Sequence, residues 1–210
     1  MKNIKPLLLL FLFTISLSFL SCNKKDEEPE VKDLVIFEDD FSTSTWDCFD
    51  EEIVVACVQD GYLFIEHKNE DLNYFYSFYY YYDFQSDYII ETAVESIETS
   101  EDFQYGIMFL LKNRYNHYYM YLKGDQFHIG YVYNYNHHSI AELTYSEHIK
   151  TDGSANNIKL RKDGYHWDFY INEEKVYEYE VTNEIGDEFG YFFIGRGKVG
   201  IDYFKVSKLK

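Results

Sequence analysis

The sequence is poor in the residues that break a chain and in positive charge. It has two prolines and 11 glycines among 210 residues, which excludes a collagen-like or proline-rich disordered chain. Lys and Arg number 19 against 37 Asp and Glu, giving a formal net charge of −18. So acidic a surface repels nucleic acid and anionic lipid headgroups, and we expect neither as a partner.

Long apolar runs and metal-site spacings are also missing. The mostly apolar run Leu7 to Leu20 has 14 residues, which is short of the roughly 20 that a membrane-spanning helix needs. The seven histidines and three cysteines show no spacing typical of a zinc site. The sequence therefore predicts no metal centre.

The N-terminus has the pattern of an export signal. Two lysines precede the apolar run, which ends in Ser21-Cys22 and suits a signal-peptide core. A small residue before a cysteine at this place resembles the lipobox of bacterial lipoproteins, which implies cleavage before Cys22 and lipid on that residue. The alternative is an ordinary secretory signal with a chance cysteine.

The residues after Cys22 divide into a tether and a domain. The stretch Asn23 to Glu30 has no apolar residue and is typical of a solvated linker. Lysines followed by acids also resemble the surface-export signal of some Gram-negative lipoproteins, whereas a generic charged linker is the alternative. We predict a signal peptide at 1–21, an acidic tether at 22–32 and one folded domain at 33–210, carried by an outer-membrane lipoprotein at the cell surface.

Aromatic residues are abundant and alternate with polar ones. The chain has 23 Tyr and 18 Phe, types that favour strands over helices. From Asp87 to Tyr133 the polarity alternates with period two through four runs, as in half-buried antiparallel strands. This pattern places Phe109 and Leu111 inward with Leu110 opposite in the second run, and Tyr118, Met120 and Leu122 inward in the third. Similar runs elsewhere include a strand from Tyr74 to Phe84 and strands joined by turns at Asp60-Gly61 and Asn172-Glu173. Together they predict an all-β sandwich of roughly a dozen or more strands without an amphipathic helix.

The order of short motifs resembles the concanavalin A-like lectin/glucanase family, nearest to laminin-G-like and 3-keto-disaccharide-hydrolase-type domains. The motifs are Asp40-Phe41, Trp46, Gly61-Tyr62-Leu63, Asp87-Tyr88, Tyr105-Gly106-Ile107, Tyr118-Tyr119, Asn157-Ile158-Lys159-Leu160, Asp163-Gly164, Phe169-Tyr170-Ile171-Asn172, Phe189-Gly190 and Val199-Gly200-Ile201-Asp202-Tyr203-Phe204. The resemblance implies a jelly roll of two curved antiparallel sheets, often with sugar on the concave face. Calcium is common in this family, and Asp39, Asp40 and Asp202 are conceivable ligands, although no calcium-loop pattern accompanies them.

Outward-facing polar and aromatic residues of the central strands form a candidate glycan surface. A tyrosine ring offers a flat apolar face beside a hydroxyl, and sugar rings stack on such faces. The alternative is that tyrosine is simply a favoured strand residue. The predicted ligand-binding residues are Glu91, Glu95, Gln104, Arg114, His117, Tyr119, Tyr121 and His128, with Arg114 at the rim.

Catalysis has weak support in the sequence. Glucanases of this fold carry a Glu-x-Asp-x-Glu strand, and the matching residues here are Glu91, Ala93 and Glu95. Without the central aspartate, the arrangement that separates the two carboxylates in pKa is missing. The sequence therefore favours two exposed acids over a catalytic pair.

Three classes of function stay open, and none requires a cofactor. The favoured one is a surface-anchored lipoprotein whose domain binds a glycan or oligosaccharide without cleaving it. A glycosidase-like enzyme of the 3-keto-disaccharide hydrolase type and a protein-binding adhesion or assembly module are the alternatives.

Cys48 and Cys57 permit one disulfide in an exported protein, with two separate buried thiols as the alternative.

The lipid anchor gives a first testable prediction. In the variant Cys22→Ala the protein should leave the membrane fraction, or stay there as an uncleaved precursor, because the acceptor of the lipid is gone. Mass spectrometry and detergent partitioning of the wild type and the variant measure this. An unchanged mass and unchanged partitioning would contradict the lipoprotein interpretation.

Overall fold

The fold is built from antiparallel strands. The computed structural model describes residues 33–43, 48–70, 73–78, 87–181 and 185–209, with only the backbone of 73–78 described. All of the regular secondary structure in those ranges is β-strand, as the alternation of polarity predicted. The described residues contain no helix long and apolar enough to cross a membrane.

The structure has fifteen strands in the described part of the chain. They are β1 (Leu34–Asp39), β2 (Phe49–Asp50), β3 (Val54–Gln59), β4 (Tyr62–His67), β5 (Asn73–Phe78), β6 (Tyr88–Thr99), β7 (Gln104–Asn113), β8 (Asn116–Lys123), β9 (Gln126–Tyr133), β10 (Asn136–Tyr145), β11 (Asn156–Asp163), β12 (His166–Ile171), β13 (Glu174–Glu180), β14 (Glu188–Ile194) and β15 (Gly197–Lys208).

These strands form two sheets. The larger sheet has nine strands in the order β13-β12-β11-β6-β15-β4-β3-β2, and β1 pairs with β15 outside this order. The smaller sheet has six strands in the order β10-β9-β8-β7-β14-β5. All pairs are antiparallel, so the predicted all-β class is confirmed.

Aromatic rings fill the space between the sheets. Trp167 of the larger sheet is fully buried, and its ring lies 5.1 Å from that of Phe109 and 5.0 Å from that of Tyr118 in the smaller sheet. Phe189 of the smaller sheet and Phe204 of the larger sheet also contact across the core, with near-parallel rings whose centroids are 4.5 Å apart. Since an aromatic side chain buries about 150–250 Å², these contacts make the core cohesive.

One buried polar contact also joins the two sheets. The hydroxyls of Thr92 on β6 and Tyr191 on β14 are 2.7 Å apart, and the Thr92 hydroxyl donates to the carbonyl of Tyr203 at 2.7 Å. The register of β15 on β6 shifts between Ile201 and Tyr203. Burial raises the pKa of Tyr191 far above its ordinary value, so the phenol stays protonated in the core.

The prediction for the end of β7 is wrong. Alternation placed Leu111 in the core with Phe109, and Leu110 on the opposite face. In the structure Leu110 belongs to the main core and Leu111 to a small cluster on the outer face. The reason is a bulge, because Leu110 has a φ of 49° and the pairing with β8 shifts after Phe109. An extra residue exchanges the two faces of a strand.

Several other expectations concern turns and the N-terminal part of the domain. The predicted turns Asp60-Gly61 and Asn172-Glu173 both take left-handed backbone conformations, as tight hairpin turns require. Cys48 and Cys57 are joined in a disulfide. The strand expected from Tyr74 to Phe84 is present as β5, and its predicted continuation past Phe78 lies outside the described residues.

The packing around Trp167 gives the second testable prediction. Trp167→Ala should lower the free energy of unfolding by about 3–5 kcal/mol, because it removes a fully buried indole and leaves a cavity. Denaturant titration of residues 33–210 measures this. The control is Tyr165→Ala, whose side chain is 76% exposed on the turn before β12 and should change stability by about 0.5 kcal/mol or less. Equal losses would contradict the central position of Trp167.

Candidate functional site

A groove crosses the outer face of the smaller sheet, on the side away from the core. Its volume is about 510 Å³. Strands β7, β8, β9 and β14 provide its floor, and the turns before β8 and β10 provide one rim. We call it the outer groove, and its lining residues are Gln104, Arg114, Tyr115, His117, Tyr119, Tyr121, His128, Val132, Tyr135, His137, Phe192 and Ile194.

Four near-parallel rings form the floor of the outer groove. Tyr119, Tyr121, His128 and Phe192 lie with ring centroids 5.0–6.0 Å apart and interplanar angles of 10–28°. Glycines lie opposite the two tyrosines, because Gly106 pairs with Tyr121 and Gly130 with Tyr119.

The glycine at 130 is required by the ring beside it. A Cβ there would lie 2.6 Å from the hydroxyl of Tyr119 and 2.7 Å from the carbonyl of His138. The Tyr119 ring therefore lies across a position without a side chain, and any larger residue would force it upward into the groove.

The rim consists of an arginine and two tyrosines. The guanidinium carbon of Arg114 lies 4.5 Å from the centre of the Tyr115 ring, and the Tyr115 and Tyr135 rings are 4.0 Å apart. Tyr135 is 70% exposed and, with a φ of 69°, takes a left-handed conformation that is costly for a bulky residue. The backbone N–H of the preceding Asn134 donates to the side chain of Asn116 at 3.1 Å, which ties the two turns together.

The floor carries little charge at neutral pH. Burial lowers the pKa of His117 to about 4, against an opposing hydrogen bond with the backbone of Asn113. Burial also lowers the pKa of His128 and raises that of Tyr119 to about 12. These groups are therefore neutral at pH 7. The charge of Glu142 affects His128 and both floor tyrosines, although Glu142 itself does not line the groove.

Six of the eight residues predicted from sequence line the outer groove. They are Gln104, Arg114, His117, Tyr119, Tyr121 and His128, and their role in ligand binding stays a prediction. Two of them are more buried than expected, since His117 is 1% and Tyr119 7% exposed. Tyr119 belongs to a packed cluster with Met108 and Phe192, so its ring supports the floor from within.

The structure does not bring Glu91 and Glu95 to this groove, and the prediction that they share its surface is wrong. Both lie on β6, which pairs with β11 and β15 in the larger sheet. The carboxylate of Glu91 is 3.1 Å from the ammonium of Lys205 on the neighbouring strand. Strands β6 and β7 are consecutive in sequence but belong to different sheets, which alternation alone cannot reveal.

Sequence reasoning missed half of the lining. Phe192 and Ile194 alternate along β14 with the core residues Tyr191 and Phe193, so period two contained a usable signal. The turn residues Tyr115 and Tyr135 gave no such signal, because their contact depends on the pairing of β8 with β9. Val132 and His137 also line the groove through this pairing and that of β10 with β9.

A second cavity, of about 580 Å³, lies beside the same two turns. Its lining includes Asn113 and Asn116, whose side chains already serve the turn. The carboxamide oxygen of Asn113 accepts from the N–H of Tyr115 and from the amide of Asn116, each at 3.0 Å. The amides of Asn113 and Asn116 thus serve the turn, and the tyrosines, Lys112 and His138 contribute to the rest of the polar lining.

The acidic groups with cation-site geometry or spacing have other partners. His166, Asp168 and Glu178 have ligand atoms within 4.8 Å of one another, but the ammonium of Lys175 lies 2.9 Å from Asp168 and 2.6 Å from Glu178 and occupies the space between them. Asp39 and Asp40, conceivable calcium ligands, accept turn N–H groups from Phe41 and Ser42. Asp202 is exposed on β15.

Comparisons with solved structures establish the fold. No protein-family model matches the chain, and no curated protein is similar in sequence. A Bacillus subtilis protein of unknown function with a galectin-like fold superposes with a TM-score of 0.65 at 13% identity, over 84% of this chain and 97% of that one. The laminarinase catalytic domain of Thermotoga maritima gives 0.62 at 11% identity, over 85% and 100%. A Bacteroides ovatus family 16 glycoside hydrolase that acts in mixed-linkage glucan utilisation gives 0.57 at 14%, over 81% and 99%. The domain is thus a jelly-roll sandwich of the concanavalin A-like type.

The buried histidine gives the third testable prediction. The pKa of His117 is about 4 in the folded state and about 6.5 in the unfolded chain. The neutral histidine therefore makes its full contribution to the free energy of unfolding above pH 6.5. This support should be lost as the pH falls from 6.5 to 4, by about 3 kcal/mol in total. Denaturant titrations at pH 7 and pH 4 should therefore show a smaller acid-induced loss for His117→Phe than for the wild type. The exposed control His166→Gln should behave like the wild type, and three equal losses would contradict the burial of His117.

Proposed function

We propose that this protein is a surface-anchored lipoprotein whose domain binds a glycan without cleaving it. The observation that supports this most directly is the floor of the outer groove, where four near-parallel rings lie beside polar groups at the rim. Sugar rings have apolar faces and polar edges, and such a surface matches both.

The size of the groove favours an oligosaccharide. Its floor spans four neighbouring strands, β14, β7, β8 and β9, and at about 4.8 Å per strand this is a width of ~14 Å. Such a span accommodates more than one sugar unit. Gln104 lies toward one end and Arg114 toward the other, so polar contacts are available along the length of a bound chain.

The lining of the groove favours binding over hydrolysis. Glycoside hydrolysis usually needs two carboxyl groups, about 5–5.5 Å apart in retaining enzymes and 6.5–9.5 Å apart in inverting ones. None of the described residues that line the outer groove is Asp or Glu. Glu91 and Glu95 lie on the other sheet, with Ala93 between them. A laminarinase and a glucan hydrolase share the fold, so an enzyme is the alternative that the missing pair disfavours.

The cellular address is part of the proposal and depends on the N-terminal sequence. Ser21-Cys22 after a short apolar run supports lipidation at Cys22, and the acidic stretch 22–32 supports a solvated tether. An outer-membrane lipoprotein displayed on the cell surface would present the outer groove to external glycans. A protein-binding adhesion or assembly module is the second alternative, although an amphipathic groove fits a sugar better than a flat apolar patch would.

A glycan array probed with the full-length chain in non-ionic detergent gives the fourth testable prediction. At least one oligosaccharide should bind, and Tyr121→Ala or Tyr135→Ala should weaken it about five- to tenfold, because a stacking contact is worth about 1 kcal/mol. The matched control is Tyr165→Ala, which removes an exposed tyrosine from the other sheet.

Incubation of a bound oligosaccharide with the protein should release no new reducing ends. Binding that none of the groove variants weakens would place the site elsewhere. Release of reducing ends by the wild type would favour the enzyme, and binding to no glycan on the array would overturn the proposal.

A further inference from the structure

Arg114 contacts an aromatic ring at the rim of the outer groove. Its guanidinium lies over the ring of Tyr115 and makes no ion pair with any described residue. Six other cations do pair with a carboxylate: Lys68, Lys123, Lys159, Arg161, Lys175 and Lys205. Lys198 also lies over a ring, that of Phe64, so what distinguishes Arg114 is its place in the lining of the outer groove.

The stack on Tyr115 also orders the guanidinium for a ligand. The ring of Tyr135 lies 4.0 Å from that of Tyr115. The side chains of Arg114, Tyr115 and Tyr135 therefore form one contiguous group at the rim. Stacking occupies the face of a guanidinium and leaves its N–H groups at the edge available. Those N–H groups form a planar fork that matches the two oxygens of a carboxylate or sulfate.

The charges around the groove favour an anion at this end. The described residues that line the groove include no Asp or Glu, and Arg114 is the one among them that carries a permanent charge. The acid whose charge acts on the floor is Glu142, which affects Tyr119, Tyr121 and His128 and not the turn that holds Arg114. A bound chain would therefore meet positive charge at one end of the groove only.

We propose that the outer groove binds an acidic glycan, with a carboxylate or sulfate group of the sugar paired to Arg114 and the sugar rings on the aromatic floor. This inference rests on the proposed glycan-binding function and narrows it to one chemical class. The net negative charge of the protein repels an anionic chain, so its binding depends on the local pairing with Arg114 at the groove.

The test uses matched pairs of oligosaccharides that differ only in their anionic group. The probes are oligogalacturonate and its methyl ester, sialyllactose and lactose, and a chondroitin sulfate oligosaccharide and its desulfated form. Affinities are measured by fluorescence polarisation with the full-length chain in non-ionic detergent. At least one acidic probe should bind roughly tenfold or more tightly than its neutral partner, because hydrogen bonds to charged groups are the stronger ones. The carboxylate and sulfate pairs show which anion the site takes.

Two variants test the role of Arg114. Arg114→Gln should weaken binding of the acidic member of the pair much more than binding of the neutral member, and so remove most of the preference. Arg114→Lys keeps the charge but loses the fork and should retain only part of the preference. The matched control is Lys112→Gln, which removes the same charge from an exposed position two residues away that lines the second cavity. It should leave the preference intact.

The outcomes separate this inference from the proposed function. Equal binding of acidic and neutral partners, or an acid preference that survives in Arg114→Gln, overturns the inference and leaves glycan binding in place. Binding of neutral glycans without binding of any acidic glycan also overturns the inference and leaves glycan binding in place. Failure to bind any acidic or neutral saccharide overturns the proposed function itself. A preference that Lys112→Gln abolishes as fully as Arg114→Gln would reduce the effect to general charge and also contradict the inference.

Discussion

The packing of aromatic rings between the two sheets is the constraint on which the rest of the structure depends. Trp167 lies between the rings of Phe109 and Tyr118 and joins β12 to β7 and β8. A strand has only two faces, so fixing one side chain in the core fixes its neighbours on the opposite surface. With Tyr118 inside, His117 and Tyr119 must lie outside. The groove floor is therefore a direct consequence of core packing.

Alternation of polarity predicted this part of the molecule well, because it is a local property of each strand. It placed Tyr118, Met120 and Leu122 in the core and thereby identified most of the groove floor. It could not assign strands to sheets, because pairing joins residues far apart in sequence; Glu91 pairs opposite Lys205. Nor could it foresee the bulge at Leu110, where one added residue exchanges the faces of β7. The rim escaped prediction for the same reason, as Tyr115 and Tyr135 meet only through β8 and β9.

Tyrosines on the two faces of the smaller sheet have different roles. Those facing inward bury their rings and, in Tyr191, use the hydroxyl to join the sheets through Thr92. Of those facing outward, Tyr119 lies across Gly130, where a Cβ would meet its ring. An abundance of tyrosine therefore has two causes in one sheet, one of stability and one of shape. Composition gives only the total number of tyrosines. It therefore could not separate their role in stability from their role in the shape of the groove.

The left-handed turn at Asn134 and Tyr135 has a consequence for the evolution of this protein. A glycine at 135 would adopt the same backbone at lower conformational energy, so mutation without selection for a ligand would drift toward the more relaxed residue. A large ring there costs conformational energy, and the side chain is mostly in solvent with its ring contact limited to Tyr115 at the rim. We therefore expect lineages that use the groove to keep an aromatic ring at position 135, and lineages that do not use it to admit glycine or asparagine there.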